Sequence, residues 1–174
     1  MKIRSWFLAV MFLAFLVVPS FAAPIYNMYM RLGTFQGNVT DRDHRNAIEV
    51  VAIKGLNRGG ESGPITIKKY QDDASTPIFA ACAAGALLPD AVIDIYKPVT
   101  SGGPLVVVGK ITLGKVTIKE ANIIHDKTVD SANPLEEITL VYETIQWETI
   151  QYGADGAKKG TLKETWNNVT KAKI

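Results

Sequence analysis

Two long stretches of this chain alternate apolar and polar residues and then change phase midway. In Leu105 to Ile118, Ile111 and Leu113 share one parity, Val116 and Ile118 share the other, and Gly114 lies between them. In Glu137 to Tyr152, Ile138, Leu140 and Tyr142 are in phase, whereas Ile145 and Trp147 have the opposite phase. Successive side chains of a strand point to opposite faces, so a parity change inside one strand demands a bulge or a sharp bend. The pattern predicts one bulge at Gly114 and a second near Glu143–Thr144, and it places Trp147 in the core. Two long bulged strands are what a sheet needs to curve into a barrel or a coiled sandwich.

Composition points the same way. Residues 23–174 hold 42 Val, Ile and Thr against 9 Leu, and β-branched side chains suit a pleated surface. Further strands are expected at Tyr26–Leu32, Ala47–Ile53, Ile65–Tyr70 and Asp90–Lys97. The nearly continuous apolar run AIEVVAI predicts burial on both faces of its strand. Leu56–Pro64 reads as a glycine-rich loop with Arg58 and Glu61 at its tip. Ser75–Ala86 reads as the one helix: Ser75 or Thr76 caps it, Pro77 is tolerated in the first turn, and Asp72 and Asp73 precede its positive end. Its inner face carries Ile78, Cys82 and Gly85, with Ala81 between them. The expected fold is mainly β, a two-sheet β-barrel or sandwich with one flanking α-helix. Neither a repeat nor a linker divides residues 23–174, which read as a single domain.

The first segment reads as an address. Lys2 and Arg4 precede an unbroken apolar run of 13 residues, Trp6 to Val18, which Pro19 ends. Ser20-Phe21-Ala22 then supplies small residues at the positions a signal peptidase reads. The run is short for a transmembrane helix, which needs about 20 apolar residues. Residues 1–22 are therefore expected to be a signal peptide cut after Ala22, with Ala23 the next choice; an uncleaved anchor is the other reading. Cleavage leaves 152 residues with 17 basic and 17 acidic side chains, hence a neutral mature chain. A chain of that length buries roughly 70% of its unfolded surface.

The same residues exclude several functions. A neutral mature chain does not resemble a nucleic-acid binder with its basic patch. One cysteine, Cys82, cannot build a disulfide framework or a Cys-type zinc site, and it reads as a small buried apolar thiol. Two histidines cannot form a three-His metal site. Asp41-Arg42-Asp43-His44 reads as a solvated loop rather than a metal site, because adjacent residues rarely all point inward. His125-Asp126 lacks a flagged nucleophile, and G-x-S-x-G is missing from the sequence. Glu136-Glu137 reads as the polar start of a strand. Gly59-Gly60-Glu61-Ser62-Gly63-Pro64 lacks the lysine and following helix of a phosphate loop. Asn38-Val39-Thr40 and Asn168-Val169-Thr170 match a glycosylation pattern that is short enough to arise by chance. The expectation is a protein without enzyme activity, without a cofactor and without a metal.

A resemblance adds what composition does not. The block ITIKKYQDDASTPIFAACAAGALLPDAVIDIY follows a Met-Tyr-Met-Arg-Leu strand and glycine-rich turns. It resembles the hemolysin-coregulated protein (Hcp) family of the type VI secretion system, in which a strand leads through a Lys-x-x-Asp-x-Ala-Ser-Pro turn into an amphipathic helix, a glycine turn and another strand. Lys69, Asp72, Ala74, Ser75 and Pro77 stand close to that pattern, with Thr76 inserted before the proline. EEITLVYETIQWE is similar to the family's strand ending in Ile-x-Trp, and Leu162–Val169 to its closing tryptophan strand. The likeness runs from about Tyr29 to Thr170.

The resemblance implies a homohexameric ring that stacks into a tube, is driven by a contractile sheath, carries a spike protein at its tip and holds small effectors in its lumen. Rim loops meet the next ring in such a tube, which would place Arg58 and Glu61 at the stacking junction. The signal segment departs from the family, whose members are loaded from the cytoplasm. It implies secretion through the periplasm, or an exported paralogue acting as carrier or adhesin. A start at Met28 or Met30 would instead give an ordinary member that is cytoplasmic before firing. A secreted monomeric β-sandwich that binds a ligand is the reading from a different class.

Overall fold

The computed structural model describes residues 26–59, 61–100, 102–124 and 134–174. Strands β1 (Asn27–Leu32), β2 (Ile48–Glu49), β3 (Ala52–Arg58) and β4 (Glu61–Tyr70) precede helix α1 (Ser75–Ala84). Strands β5 (Leu87–Pro98), β6 (Leu105–Ile124), β7 (Leu135–Tyr152), β8 (Lys158–Asn167) and β9 (Ala172–Lys173) follow it. All pair antiparallel in the order β2-β1-β5-β6-β7-β4-β3, with β8 on β7 and β9 on β8.

The ends of that order meet. β2 lies against β1 at one end and β3 against β4 at the other, yet only Val50 and Val51 separate them in sequence. The Val50 N–H donates to the Met28 carbonyl at 2.9 Å, and the Val51 N–H donates to the Lys68 carbonyl at 2.8 Å. The sheet thus curls around one core that includes Met30, Ile67, Ile78, Ile93, Leu113 and Ile138, all fully buried. Burying each such side chain contributes roughly 1.5–3 kcal/mol. The fold is the expected mainly β class with one helix, sandwich-like rather than a closed barrel.

The AIEVVAI segment is correspondingly not one strand buried on both faces. Ile48 and Val50 point inward, while Glu49 and Val51 are exposed. Its apolar continuity reflects a handover from one end of the sheet to the other.

The two predicted phase changes occur where expected but are not bulges. Leu88, Val116 and Tyr142 face the core on one side of a line, and Ala91, Leu113 and Ile145 face it on the other. Across that line the pairing stays in register, from Leu88↔Val116↔Tyr142 to Asp90↔Gly114↔Thr144. Three neighbouring strands change face at the same level, so the two-against-one count of a bulge never arises. The sheet is creased instead. Lys115 takes the left-handed conformation there (φ 54°), and its Nζ lies 2.7 Å from Glu143 Oε2 on the facing strand. Gly114 is required beside it, because a Cβ would run into the Thr144 hydroxyl. The register does shift between Ile118 and Glu120 in β6, between Ile95 and Tyr96 in β5 and between Gln151 and Tyr152 in β7.

The crease is also a fork. One edge of β7 pairs with β4 from Leu135 to Leu140 and with β8 from Thr144 to Tyr152. Tyr142 sits at the branch, 8% exposed, with its hydroxyl donating to the Gly63 carbonyl at 2.6 Å. The Asn168 N–H closes the other side by donating to the Glu143 carbonyl at 2.7 Å.

Helix α1 ends at Ala84, two residues before the expected limit. Gly85 adopts φ 60°, and the Gly85 and Ala86 N–H groups return to the Cys82 and Ala81 carbonyls. No side chain caps its start. The Ser75 hydroxyl turns back instead to accept from the Asp72 N–H at 2.9 Å. Ser75, Ile78 and Ala81 are the buried residues of the helix, and Cys82 is a free thiol that is only partly buried. Trp147 is likewise half-buried, packed against the edge of the core rather than inside it.

Candidate functional site

The glycine-rich stretch Leu56–Pro64 is a β-hairpin rather than a loop. β3 and β4 continue to Arg58 and Glu61, which are paired at the end of the ladder. Beneath the tip, Ser62 Oγ donates to Asn57 Oδ1 at 3.0 Å and lies 2.8 Å from the Tyr142 hydroxyl. Glu61 is exposed and forms an ion pair with Lys171 at 3.1 Å. A cleft of about 220 Å³ lies between the hairpin and the turn after β8, lined by Glu61, Gly63, Pro64, Val141, Asn168 and Lys171 among others. Burial pushes the Tyr142 phenol above its ordinary range, and the Ser62 contact works in the opposite direction.

The most enclosed polar cluster is one the sequence reading missed. Lys69 and Glu136 are both fully buried, with Lys69 Nζ 2.9 Å from Glu136 Oε2. The same ammonium reaches Asp72 Oδ1 at 2.8 Å and donates to the Tyr70 carbonyl at 2.7 Å. Ser75 Oγ donates to Glu136 Oε2 at 2.9 Å, and Asp72 Oδ1 also accepts from the Ala74 N–H at 3.0 Å. The Lys-x-x-Asp-x-x-Ser spacing places all three side chains at the turn between β4 and α1, and Glu136 reaches them from the start of β7. A lysine buried without acceptors would be prohibitively costly. This cluster ties two strands and the helix start together, and its ammonium is engaged by protein acceptors. Glu136 is therefore not a polar strand start; only Glu137 is solvent-accessible, 3.7 Å from Lys68. Sequence carried one usable signal, a lysine that falls in phase with the buried Ile65 and Ile67 of its strand and must be neutralised there.

In the loop between β1 and β2, His44 Nδ1 lies 2.6 Å from Asp41 Oδ1, and the Asp43 N–H donates to the same oxygen at 3.0 Å. The histidine and these two contacts hold the Asp41 carboxyl below the usual range. Among the described residues no group of three His, Cys, Asp or Glu side chains converges as metal ligands. Ala22, Ala23, His125 and Asp126 lie outside the described residues.

The third feature is the exposure of the long strands. β8 is exposed along most of its length, and Leu105, Ile123 and Leu162 stand 44%, 51% and 61% exposed. Val106, Val107 and Val108 are all half-buried, so neither face of that part of β6 is fully covered. β9 extends the outer edge of β8 only at Trp166 and Asn167.

The creased β-sandwich with one helix is a fold that solved structures of type VI secretion proteins share. A structure described as a type six secretion system protein matches with a TM-score of 0.75 at 20% identity, covering 86% of this chain and 100% of that one. Hcp1 from Salmonella typhimurium matches with a TM-score of 0.73 at 22% identity, covering 86% of this chain and 99% of that one. The secreted protein Hcp3 from Pseudomonas aeruginosa matches with a TM-score of 0.63 at 19% identity, covering 82% and 99%. No curated protein matches the chain. The family described as type VI secretion system effector, Hcp, matches residues 29–149. The chain belongs to the Hcp family.

Proposed function

We propose that this chain is a structural subunit of a type VI secretion tube, assembling as a homohexameric ring that stacks, holds small effectors in its lumen and is itself exported. Family membership supports this reading, and one observation carries it to assembly: β6, β7 and β8 run past the core with half-buried valines and exposed leucines. Uncovered apolar sheet of this kind marks a contact with another protein surface, and a cyclic ring of identical copies covers such ends with one repeated interface. The spike and sheath enter as further partners by family likeness. Residues 1–22 act as a signal peptide cut after Ala22 or Ala23, and residues 23–174 form the mature domain. The role is mechanical and carrying rather than enzymatic.

Arg58 and Glu61 pair at the end of the β3–β4 hairpin, which suits a contact between stacked rings. Exposed ion pairs are worth about 0–1 kcal/mol each, and a ring repeats the contact around its rim. Arg58→Glu is expected to leave the single ring intact and shorten filaments, read by native mass spectrometry and negative-stain microscopy. Loss of the ring itself would assign the hairpin to the lateral contact. Unchanged filaments would remove it from the junction.

A further inference from the structure

The Asp41–His44 pair has no part in the proposed tube contacts, and it joins an exposed carboxylate to a largely buried imidazole. The loop over residues 33–47 is a tight ribbon: the Gly37 N–H donates to the Asn46 carbonyl at 2.9 Å, and the Asn46 N–H donates to the Val39 carbonyl at 2.8 Å. The ribbon is tied to the rest of the fold by the Gly33 N–H, which donates to the Asp90 carbonyl at 3.0 Å, by Phe35 against the core, by Asn38 Oδ1, which accepts from the Asp73 N–H at 3.1 Å, and by His44. The His44 ring stacks on Tyr29 of β1, with centroids 4.2 Å apart and planes at 18°. It also meets Tyr96 of β5 edge-on at 4.6 Å. Its side chain is 15% exposed, and its Nδ1 is the atom facing Asp41.

We propose that loop 33–47 is an acid-tightened strap, closed when His44 carries a proton. An imidazolium at this place gains a charge-assisted bond to the Asp41 carboxylate and the π face of Tyr29. The neutral ring keeps the stacking and a weaker bond. Histidine is the side chain that changes charge between about pH 5 and pH 8.

Charged and aromatic groups from three elements surround the ring. The loop contributes Asp41 and Asp43, with Arg42 and Arg45 exposed to solvent. β1 contributes Tyr29, Asn27 and Arg31. β5 contributes Tyr96 and Asp94, the latter 3.4 Å from Arg31 and 3.0 Å from Lys110 of β6. Both neighbouring cations are thus engaged by Asp94, whereas Asp41 remains for His44. The strap leads directly into Ala47 and Ile48, both buried, and so into β2 at the end of the sheet. Closing it fixes the segment that Val50 and Val51 hand across to β4.

The test is amide hydrogen exchange on the mature chain, corrected for intrinsic rate, between about pH 5 and pH 8. Protection at Gly37, Val39 and Asn46 should rise as the pH falls, by up to about tenfold per pH unit, the limit for one linked proton. Amides of β6 and β7 serve as the reference and should not follow. His44→Gln should abolish the dependence, and Asp41→Asn should weaken it. A wild-type profile flat in pH, or His44→Gln with the wild-type profile, overturns the proposal. Should His44→Gln lower protection across β6 and β7 as well, Asp41→Asn decides, since it leaves the histidine in place: an unchanged pH dependence there also overturns it.

Discussion

Lys69 and Glu136 form a fully buried ion pair, with Nζ 2.9 Å from Oε2, that joins β4 to β7 across residues 67 apart in sequence. Removing Lys69 strands the Glu136 carboxylate in the core, which costs about 3–5 kcal/mol. Lys69→Ala should lower stability by that amount in chemical denaturation, and Glu136→Ala by less, because Asp72 still faces the ammonium at 2.8 Å. The paired Lys69→Met, Glu136→Leu replacement should cost less than the two single changes together, because it leaves neither charge unmatched. Additive losses in that cycle would show that the two groups do not act as a pair.

The crease makes a local prediction. Gly114→Val inserts a branched side chain against Thr144 and should destabilise by about 1–3 kcal/mol. Thr144→Ala removes the obstructing hydroxyl and should recover part of that loss in the double variant. A Gly114→Val protein as stable as the wild type would place the fold line elsewhere.

Trp147 packs at the margin of the core, so its truncation should cost about 3 kcal/mol, the low end for a large aromatic. An unchanged melting temperature for Trp147→Ala would mean that the β7 face assignment is wrong.

Much of this fold was legible because its strands are long. The parity changes in Leu105–Ile118 and Glu137–Tyr152 located the crease to within a residue or two, whereas the helix reads two residues too long, because the pattern puts Gly85 on its inner face rather than at its end. Their mechanism was not legible, because a single strand cannot reveal that its neighbours change face at the same level. Leu56–Pro64 reads as a loop for a similar reason: its Gly, Asn and Ser are turn formers, and only the pairing of Asn57 with Ser62 and of Arg58 with Glu61 makes them a hairpin. The buried cluster was half legible. Lys69, Asp72 and Ser75 stand together in sequence, whereas Glu136 arrives from a distant strand, so its carboxyl looked like one more polar strand terminus. The stacking of His44 between Tyr29 and Tyr96 is likewise a long-range product of the curl.

Tyr142 gives a pH prediction with a definite sign. Burial raises its folded-state pKa above the ordinary phenol value of about 10, so the neutral phenol favours the folded form. That contribution is fully present below about pH 10 and is lost as the pH rises through the folded value. Tyr96 is shifted the same way, chiefly by burial. Stability measured by denaturant titration should therefore fall above about pH 10, and Tyr142→Phe should flatten that fall. An equally steep fall in Tyr142→Phe would show that the phenol at the fork does not contribute.

The proposal of a ring is tested most directly by the native mass of the purified chain, residues 23–174, at micromolar concentration. Six copies are predicted, and reducing agent should not dissociate them, since Cys82 is a partly buried free thiol within each domain. A single copy under the same conditions would contradict the ring and favour a monomeric binding module.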